Sequence, residues 1–390
     1  MRADVVIIGS GISGAVLAER YSKAGKKVLI LEKRDHIGGN CYDYIDENGI
    51  LVSKYGAHLF HTDMKEVWEY VNRFSDWYPW EHKVLAKVDD QLVPIPVNIN
   101  TVNKLFGLTI STEEEMIEWL EKNRLPIKDP KNGKEAVLDK VGPVLYEKMF
   151  RHYTKKQWDK YPEELNASVL NRIPVRTNTD DRYFSDRFQA LPKHGYTKIF
   201  EKMLDHPNIT VKLNTDYFDV MDKLIGYTKL FYTGPIDRFF EFKHSLEDKL
   251  EYRSINFVSE TVDSEFFQSN SVVNYPGREV DFTRIVEYKH FGKQKSEKTT
   301  IVKEYTTDEG DPYYPVLNEK NLAIYQKYQE EAAKVKDVYF VGRLANYKYF
   351  NMDQAFKNAL DLFHSLEGDS DANLEEKLNK TFKSNGIEVQ

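Results

Sequence analysis

The sequence predicts an α/β protein of two or three domains, and three observations carry that prediction. An apolar run at residues 5–8 leads into a glycine-rich turn and a helical pattern, which predicts the first strand of a parallel sheet. Residues 101–170 contain four segments with helical spacing, and residues 253–305 alternate apolar and polar side chains as strands do. Strands are also predicted at 209–213 and 230–232. Because these complete the first sheet after an insert, we expect its domain to be discontinuous.

Composition excludes several classes of function. The 55 basic residues are outnumbered by 62 acidic ones, for a net charge of −7, so neither nucleic acid nor an anionic membrane is an expected partner. No stretch is long and apolar enough to cross a bilayer, so membrane insertion is not expected. The one cysteine, Cys41, excludes disulfides within the chain, and no Cys or His spacing indicates a metal site. We expect a cytoplasmic protein without a metal.

A glycine motif separates the first strand from the first predicted helix. Gly9 suits the tight turn, Gly11 lets the backbone approach a diphosphate, and Gly14 allows the helix to pack closely on the strand. Ile12 and Ser13 lie between them at the helix N-terminus, where backbone N–H groups attract phosphate. The motif therefore predicts a Rossmann-like site for a dinucleotide.

Residues 28–40 supply the rest of this predicted site. Glu32 ends the second strand, where a carboxylate binds a ribose hydroxyl and repels a 2′-phosphate, so NADP is disfavoured. The Arg-x-x-x-Gly-Gly pattern at residues 34–39 resembles an extension of FAD-dependent oxidase-like proteins and favours FAD over NAD; the alternative is a surface turn. The FAD contacts predicted here are Glu32, Lys33, Gly38, Gly39 and Asn40.

Capping residues, prolines and hydrophobic periodicity predict the secondary structure of the middle of the chain. A hairpin is expected between residues 84–88 and 92–95, with Pro94 and Pro96 ending it or placing it at a sheet edge. Residues 172–181 are polar and rich in turn formers, which favours a mobile loop. Helices are expected at residues 101–106, 112–122 with Ser111 or Thr112 as its cap, 133–152, 162–170 and 197–204.

Two further segments are candidates for flavin contacts. A strand at residues 338–343 precedes a helix at 352–366, whose N–H groups near Asn351 would point at the flavin pyrimidine; the alternative is an ordinary βα unit. Residues 54–61 hold two histidines beside apolar residues, a pattern that more often marks a structural histidine than a functional one. The charged segment after Gly368 is expected to be a loosely attached helix.

Longer motifs resemble one known family. They are residues 34–40, 56–62, 153–158, 172–176, 181–184, 282–285, 312–315 and 342–349. From the first glycine motif to about residue 366, the chain resembles the bacterial UDP-galactopyranose mutases. The resemblance implies a discontinuous Rossmann-like FAD-binding domain, a helical insert domain and a mostly antiparallel β-sheet domain, with the substrate cleft where the three meet.

The resemblance also implies domain boundaries. The FAD-binding domain is expected at residues 1–70, 193–245 and 320–367, the helical domain at 99–171, the sheet domain at 75–98, 172–192 and 250–310, and a tail at 368–390.

The implied activity is that of an isomerase. UDP-galactopyranose and UDP-galactofuranose are interconverted by ring contraction, with N5 of reduced FAD as the covalent nucleophile at the anomeric carbon and no net redox change. An external reductant such as NAD(P)H or a reductase is implied, and a homodimer is one assembly that the family allows. The implied setting is galactofuranose and cell-wall glycan biosynthesis.

Site residues follow from the same resemblance. The implied catalytic residues are Arg284, which offsets charge on the departing UDP, Arg172, a mobile-loop arginine that closes on the same diphosphate, and His58, which lies beside the flavin. Phe150 and Tyr153 form the implied uracil platform. The implied substrate contacts are Phe150, Tyr153, Thr154, Trp158, Arg172, Tyr183, Asn274, Arg284, Tyr314 and Tyr349, and the further FAD contacts are His58, Leu59, Gly342, Arg343, Asn351 and Met352.

Departures from the family pattern concern details. Asn351 stands where an acidic residue is expected, His82 stands where some relatives have Asn, and residues 276–281 are unusual, so sugar specificity is less constrained than reaction type.

Two other classes of protein share the N-terminal glycine motif. A flavin-dependent amine oxidase would release hydrogen peroxide with an amine and ignore UDP, and a non-enzymatic relative of the GDP-dissociation inhibitors would purify without a yellow colour.

Overall fold

The protein is described here by a computed structural model that covers residues 1–171, 174–241 and 249–368. Arg172 and the predicted tail from residue 369 onwards lie outside the described residues. The strands are β1 Val5–Ile8, β2 Val28–Leu31, β3 Asp43–Ile45, β4 Leu51–Ser53, β5 Phe60–Thr62, β6 Trp77–Pro79, β7 Val84–Val88, β8 Gln91–Ile95, β9 Phe188–Pro192, β10 Ile209–Lys212, β11 Lys229–Tyr232, β12 Tyr252–Val262, β13 Val272–Asn274, β14 Arg284–Glu287, β15 Thr299–Thr307, β16 Tyr314–Pro315 and β17 Val338–Phe340.

The α-helices are interspersed with these strands along the chain. They are α1 Ile12–Lys23, α2 Lys65–Asn72, α3 Ile99–Phe106, α4 Glu113–Asn123, α5 Gly133–Leu145, α6 His152–Trp158, α7 Ala167–Asn171, α8 Thr197–Leu204, α9 Tyr217–Val220, α10 Ile236–Glu241, α11 Glu319–Ala332 and α12 Met352–Glu367.

A parallel sheet with the order β10-β2-β1-β11-β17 forms the base of the fold. Its central strands β1 and β2 are continuous apolar runs because helices or loops cover both of their faces. Helices α1 and α12 pack together on one face. Because the strands are parallel, their carboxyl ends lie at one edge, which is where ligands bind in sheets of this kind.

The helical region begins with well-capped helices. Asn98 and Thr112 each close a capping box, so Thr112 is the cap of the second predicted helix. The prediction of one continuous helix over residues 133–152 was wrong. Gly142 has φ +78 and is followed by Pro143, and a Cβ at Gly142 would lie 1.9 Å from the carbonyl oxygen of Asn123. The close approach of the end of α4 therefore requires a glycine at this kink within α5, and a π-helical turn, Tyr146–Arg151, leads from α5 into α6.

A larger sheet has the order β16-β12-β15-β14-β13-β7-β8 and is mostly antiparallel, with β13 and β7 as its parallel pair. The predicted hairpin is β7 and β8, and β8 is an edge strand that accommodates Pro94. Strand β9 does not join this sheet; it pairs with β5 and β6 in a separate antiparallel sheet.

The predicted fold class is confirmed, whereas the domain boundaries stay predictions. Among the described residues, no helix combines the length and apolar character that a membrane span requires.

Candidate active site

The glycine turn between β1 and α1 is as compact as its sequence predicts. Gly9 has φ +96, and a Cβ at Gly14 would lie 2.0 Å from the carbonyl oxygen of Gly9. A side chain at position 14 would therefore push α1 away from the strand. The N-terminus of α1 has no side-chain cap, so its N–H groups remain available to a phosphate.

Glu32 directly follows strand β2. Its Oε2 accepts hydrogen bonds from the N–H and the hydroxyl of Ser10, both at 2.8 Å, and its Oε1 accepts one from the N–H of Arg34 at 2.9 Å. Gly38 donates its N–H to the Ser10 carbonyl at 3.0 Å. These bonds tie the Gly38–Gly39 turn to the first glycine turn, so the two predicted glycine motifs form one surface.

This surface lines a cavity of about 390 Å³ that is partly open to solvent. Of the predicted FAD contacts, those lining it are Gly9, Gly11, Ile12, Ser13, Glu32, Lys33, Gly38, Gly39, Asn40, His58, Gly342, Arg343, Asn351 and Met352. Gly14 and Leu59 lie behind the lining, Gly14 against β1 and Leu59 against the apolar core. Sequence reasoning missed further lining residues, namely Cys41, Thr215, Asp216, Tyr217, Phe218, Thr233, Gly234, Pro235, Arg238 and residues 310–313.

Some of these missed residues had a sequence signal. The run Thr233-Gly234-Pro235 directly follows β11, so it lies at the same sheet edge as the glycine motif, and the Thr233 hydroxyl donates to the Ile8 carbonyl at 2.7 Å. Asp216, the N-cap of α9, and Arg238, on α10, form an ion pair at 2.7 Å, and no motif connects their two segments.

His58 lies in this cavity as a neutral imidazole. Burial lowers its pKa to about 4, and the nearby Arg343 guanidinium acts in the same direction. The Gly56 carbonyl lies 2.8 Å from Nδ1 and accepts a hydrogen bond from the Nδ1–H, which leaves Nε2 as the unprotonated nitrogen at neutral pH. The side chain can therefore accept a hydrogen bond in the cavity.

Arg284 begins β14 and is held from two sides. Its Nη2 donates to the Tyr153 hydroxyl at 2.9 Å, and its Nε lies 3.4 Å from the Glu304 carboxylate, which sits directly opposite in β15. Burial disfavours the charged guanidinium, but Tyr153 and Glu304 hold its pKa above the usual value. Burial likewise raises the pKa of Glu304 against the opposing effect of Arg284. Arg284 thus keeps its charge at the position where the family resemblance predicts the substrate cleft.

An aromatic group joins this cleft to the cofactor cavity. Tyr314 and Tyr349 stack at 5.3 Å, and the Trp158 ring lies 6.1 and 6.3 Å from them. The Arg343 guanidinium lies over both tyrosine rings, at 5.5 and 5.4 Å. Burial raises the pKa of Tyr314, whose neighbours include both Arg343 and Arg284, so its hydroxyl stays a donor at neutral pH.

The other predicted substrate residues have different surroundings. Asn274 ends β13 opposite Arg284, and its Oδ1 has no hydrogen-bond partner among the described residues, so it can accept from a hydroxyl. Tyr183 packs edge-on against His82 at 6.0 Å. Thr154 is buried in α6, and Phe150 packs into the core of the helical region. Arg172 lies outside the described residues.

These observations fit FAD. The glycine turns leave room for a diphosphate that a Cβ would fill, helix N–H groups face the same space, and the cavity continues past His58 to Arg343 and the N-terminus of α12. The N-cap of α12 is Asn351, as expected, whereas its contact with flavin stays a prediction.

Known proteins match most of the chain. A family model described as UDP-galactopyranose mutase matches residues 148–349, and one described as an NAD(P)-binding Rossmann-like domain matches residues 7–74. The probable UDP-galactopyranose mutase of Klebsiella pneumoniae is 38% identical over 362 residues, which cover 92% of this chain and 93% of that protein. The dTDP-fucopyranose mutase of Escherichia coli is 37% identical over 366 residues, which cover 92% and 96%.

The fold agrees with these matches. A crystal structure of a reduced UDP-galactopyranose mutase aligns with a TM-score of 0.75 over 95% of this chain and 97% of that one, at 17% identity. Because the family model covers about half of the chain and the Klebsiella relative nearly all of it, the chain is an FAD-binding enzyme that belongs to the UDP-galactopyranose mutase family.

Proposed function

We propose that this protein interconverts UDP-galactopyranose and UDP-galactofuranose by ring contraction, with reduced FAD as a covalent catalyst. The observation that carries the proposal is the position of Tyr314, whose ring lies under Arg343 and within the field of Arg284. Two cations thus lie near one tyrosine, and one of them, Arg343, lines the dinucleotide cavity. A diphosphate with a sugar attached is the anion that such a pair of cations suits.

When bound, reduced FAD supplies N5 as the nucleophile toward the anomeric carbon, without net electron transfer. Arg284 offsets negative charge on the diphosphate as it leaves, and its alignment comes from Tyr153 and Glu304. The hydroxyls of Tyr314 and Tyr349 donate to the same group. We also assign Arg172 to diphosphate binding, on the family resemblance alone.

Uncharged side chains are assigned to contacts with the sugar and with the flavin. His58 stays uncharged because its pKa is about 4, so it accepts a hydrogen bond without adding charge beside the reduced cofactor. Asn274 offers an unpartnered acceptor to a sugar hydroxyl. We assign Phe150 and Tyr153 to the uracil platform and Trp158 to the lining of the cleft, on the family resemblance alone.

The test is conversion by reduced protein. Purified protein should be yellow, and after reduction with dithionite under nitrogen it should convert UDP-galactofuranose to the pyranose, as followed by anion-exchange chromatography. Oxidised protein is the matched control and should give little product. No conversion by a reduced, flavin-loaded sample would contradict the proposal.

Parallel arms separate the alternatives. dTDP-fucofuranose tests the sugar nucleotide used by the Escherichia relative, and faster conversion of it would redirect the substrate assignment without changing the reaction type. Hydrogen peroxide release with an amine would indicate an oxidase, and a colourless protein a binding protein without flavin. An external reductant such as NAD(P)H or a reductase, a homodimer and a cytoplasmic location stay predictions.

A further inference from the structure

Lys156, on helix α6, points into the loop that joins β13 to β14. Its ammonium donates hydrogen bonds to three backbone carbonyls of that loop, those of Tyr275, Val280 at 3.2 Å and Phe282 at 3.1 Å. One side chain of the helical region therefore satisfies acceptors at the start, middle and end of a loop that belongs to the large sheet.

Both ends of this loop carry residues of the candidate site. Asn274 is the last residue of β13 and Arg284 the first of β14, and the two lie opposite each other in register. Between them, the Tyr275 N–H donates to the Thr283 carbonyl at 2.9 Å and closes the base of the loop. A change in the path of the loop would therefore move both residues relative to α6.

The cost of burying this lysine indicates why it is present. Among the described residues no carboxylate forms an ion pair with Lys156, and burial lowers its pKa to about 8 although Glu279 and Asp281 act in the opposite direction. An ammonium removed from water is expensive unless its protons are bonded, and three carbonyls without donors would be expensive as well. The charge and the loop thus stabilise each other.

The neighbouring lysine makes the contrast clear. Lys155 lies on the same helix but bonds to Asp159, with both carboxylate and carbonyl oxygens at 2.8 Å, and contributes nothing to the loop. It has the same side chain in the same helix, and it is therefore the natural control.

We propose that Lys156 is a positioning residue that fixes the 275–282 loop on α6 and thereby keeps Tyr153, on α6, within hydrogen-bond distance of Arg284, at the end of the loop. The 2.9 Å hydrogen bond from Arg284 Nη2 to the Tyr153 hydroxyl fixes the position of α6 relative to β14. In the proposed function, α6 binds the base and β14 the diphosphate of the same nucleotide, so both must be aligned. The inference rests on the proposed function for the roles of Tyr153 and Arg284.

The experiment compares Lys156→Met with Lys155→Met. For each purified holoenzyme, kcat and KM for UDP-galactofuranose are measured per bound FAD, and the Kd for UDP is measured by calorimetry. We expect Lys156→Met to raise both KM and Kd about tenfold, with a smaller fall in kcat, because two binding groups lose alignment. Lys155→Met should leave both constants within about twofold of the wild-type values. A purely structural defect would lower the active fraction and leave KM and Kd unchanged.

A second variant keeps the test decisive if Lys156→Met folds poorly. If Lys156→Met does not yield flavin-loaded protein, Lys156→Gln takes its place. This variant keeps two N–H donors and should raise KM and Kd about threefold. Unchanged constants in a folded variant, an equal change in Lys155→Met, or loss of FAD from both Lys156 variants would overturn the proposal. Because the Kd for UDP needs no turnover, a wild-type protein that binds UDP but converts no sugar would contradict the proposed function and still allow a decision on Lys156.

Discussion

Replacing Arg284 tests both the energetics and the chemistry of the site. Arg284→Met removes the guanidinium beside Glu304, whose side chain is only 6% exposed, and leaves a buried carboxylate without its partner. Removal of one partner is strongly destabilising in such pairs because the remaining charge stays buried. The variant should keep FAD, since Arg284 does not line the cofactor cavity, but it should lose turnover.

The expected loss of stability has an upper limit. A carboxylate that cannot stay charged takes up a proton, and at pH 7 protonating a glutamate of ordinary pKa, about 4.3, costs about 3.7 kcal/mol. The wild-type protein already carries part of the burial cost, because burial raises the pKa of Glu304 even beside Arg284. We therefore expect Arg284→Met to lower the free energy of unfolding by about 1–3 kcal/mol at pH 7.

The pH dependence has a defined sign. Without Arg284, the folded-state pKa of Glu304 lies further above its unfolded value, so the penalty is absent below the unfolded pKa and grows as pH rises toward neutrality. Urea unfolding of wild type, Arg284→Met and the double variant Arg284→Met with Glu304→Gln should show this. The double variant should recover most of the stability at pH 7 and none of the activity. If Arg284→Met is as stable as wild type at every pH, or if Glu304→Gln recovers nothing, the buried-pair reasoning is refuted.

Three other predictions concern single side chains. Gly11→Ala should yield folded protein with at least tenfold weaker FAD binding, because its Cβ would meet no protein atom closer than 3.7 Å but would fill the diphosphate space; full flavin content after gel filtration would contradict this. Burial holds the pKa of His82 at about 3, below its unfolded value, so protons bind the unfolded state preferentially. About 2 kcal/mol of stability should then be lost between pH 7 and 5, and His82→Asn should remove that part of the slope in urea titrations. Tyr314→Phe should weaken UDP binding about fivefold in calorimetry, by the loss of one hydrogen bond, and an unchanged Kd would exclude the hydroxyl as a donor.

Local patterns predicted the cofactor half of the molecule well. The glycine turn, Glu32 and the cap at Asn351 are recognisable because each needs a particular residue type at a particular distance from a strand or helix end. The edge position of β8 was likewise predictable from Pro94, which has no N–H to donate to a further strand.

Residues brought together by distant pairings were not predictable in this way. Glu304 reaches Arg284 only because β15 aligns with β14 in one register, and a shift by one residue would turn its side chain to the other face. Asp216, the N-cap of α9, and Arg238, on α10, meet although their two segments share no motif. The break at Gly142 depends on how closely the end of α4 approaches it. Family resemblance supplied the predicted substrate residues, which stay predictions, and it assigned no role to Glu304 or Lys156.

The most direct test of the central claim compares the amount of pyranose formed with the number of electrons supplied to the flavin. Protein reduced under nitrogen with one equivalent of dithionite per FAD, and then freed of reductant, is given excess UDP-galactofuranose, while flavin absorbance and pyranose are followed together. If the flavin acts without net redox change, many molecules of pyranose should form per FAD while the flavin spectrum stays reduced. At most one product per FAD, with the flavin oxidised in step, would contradict the account.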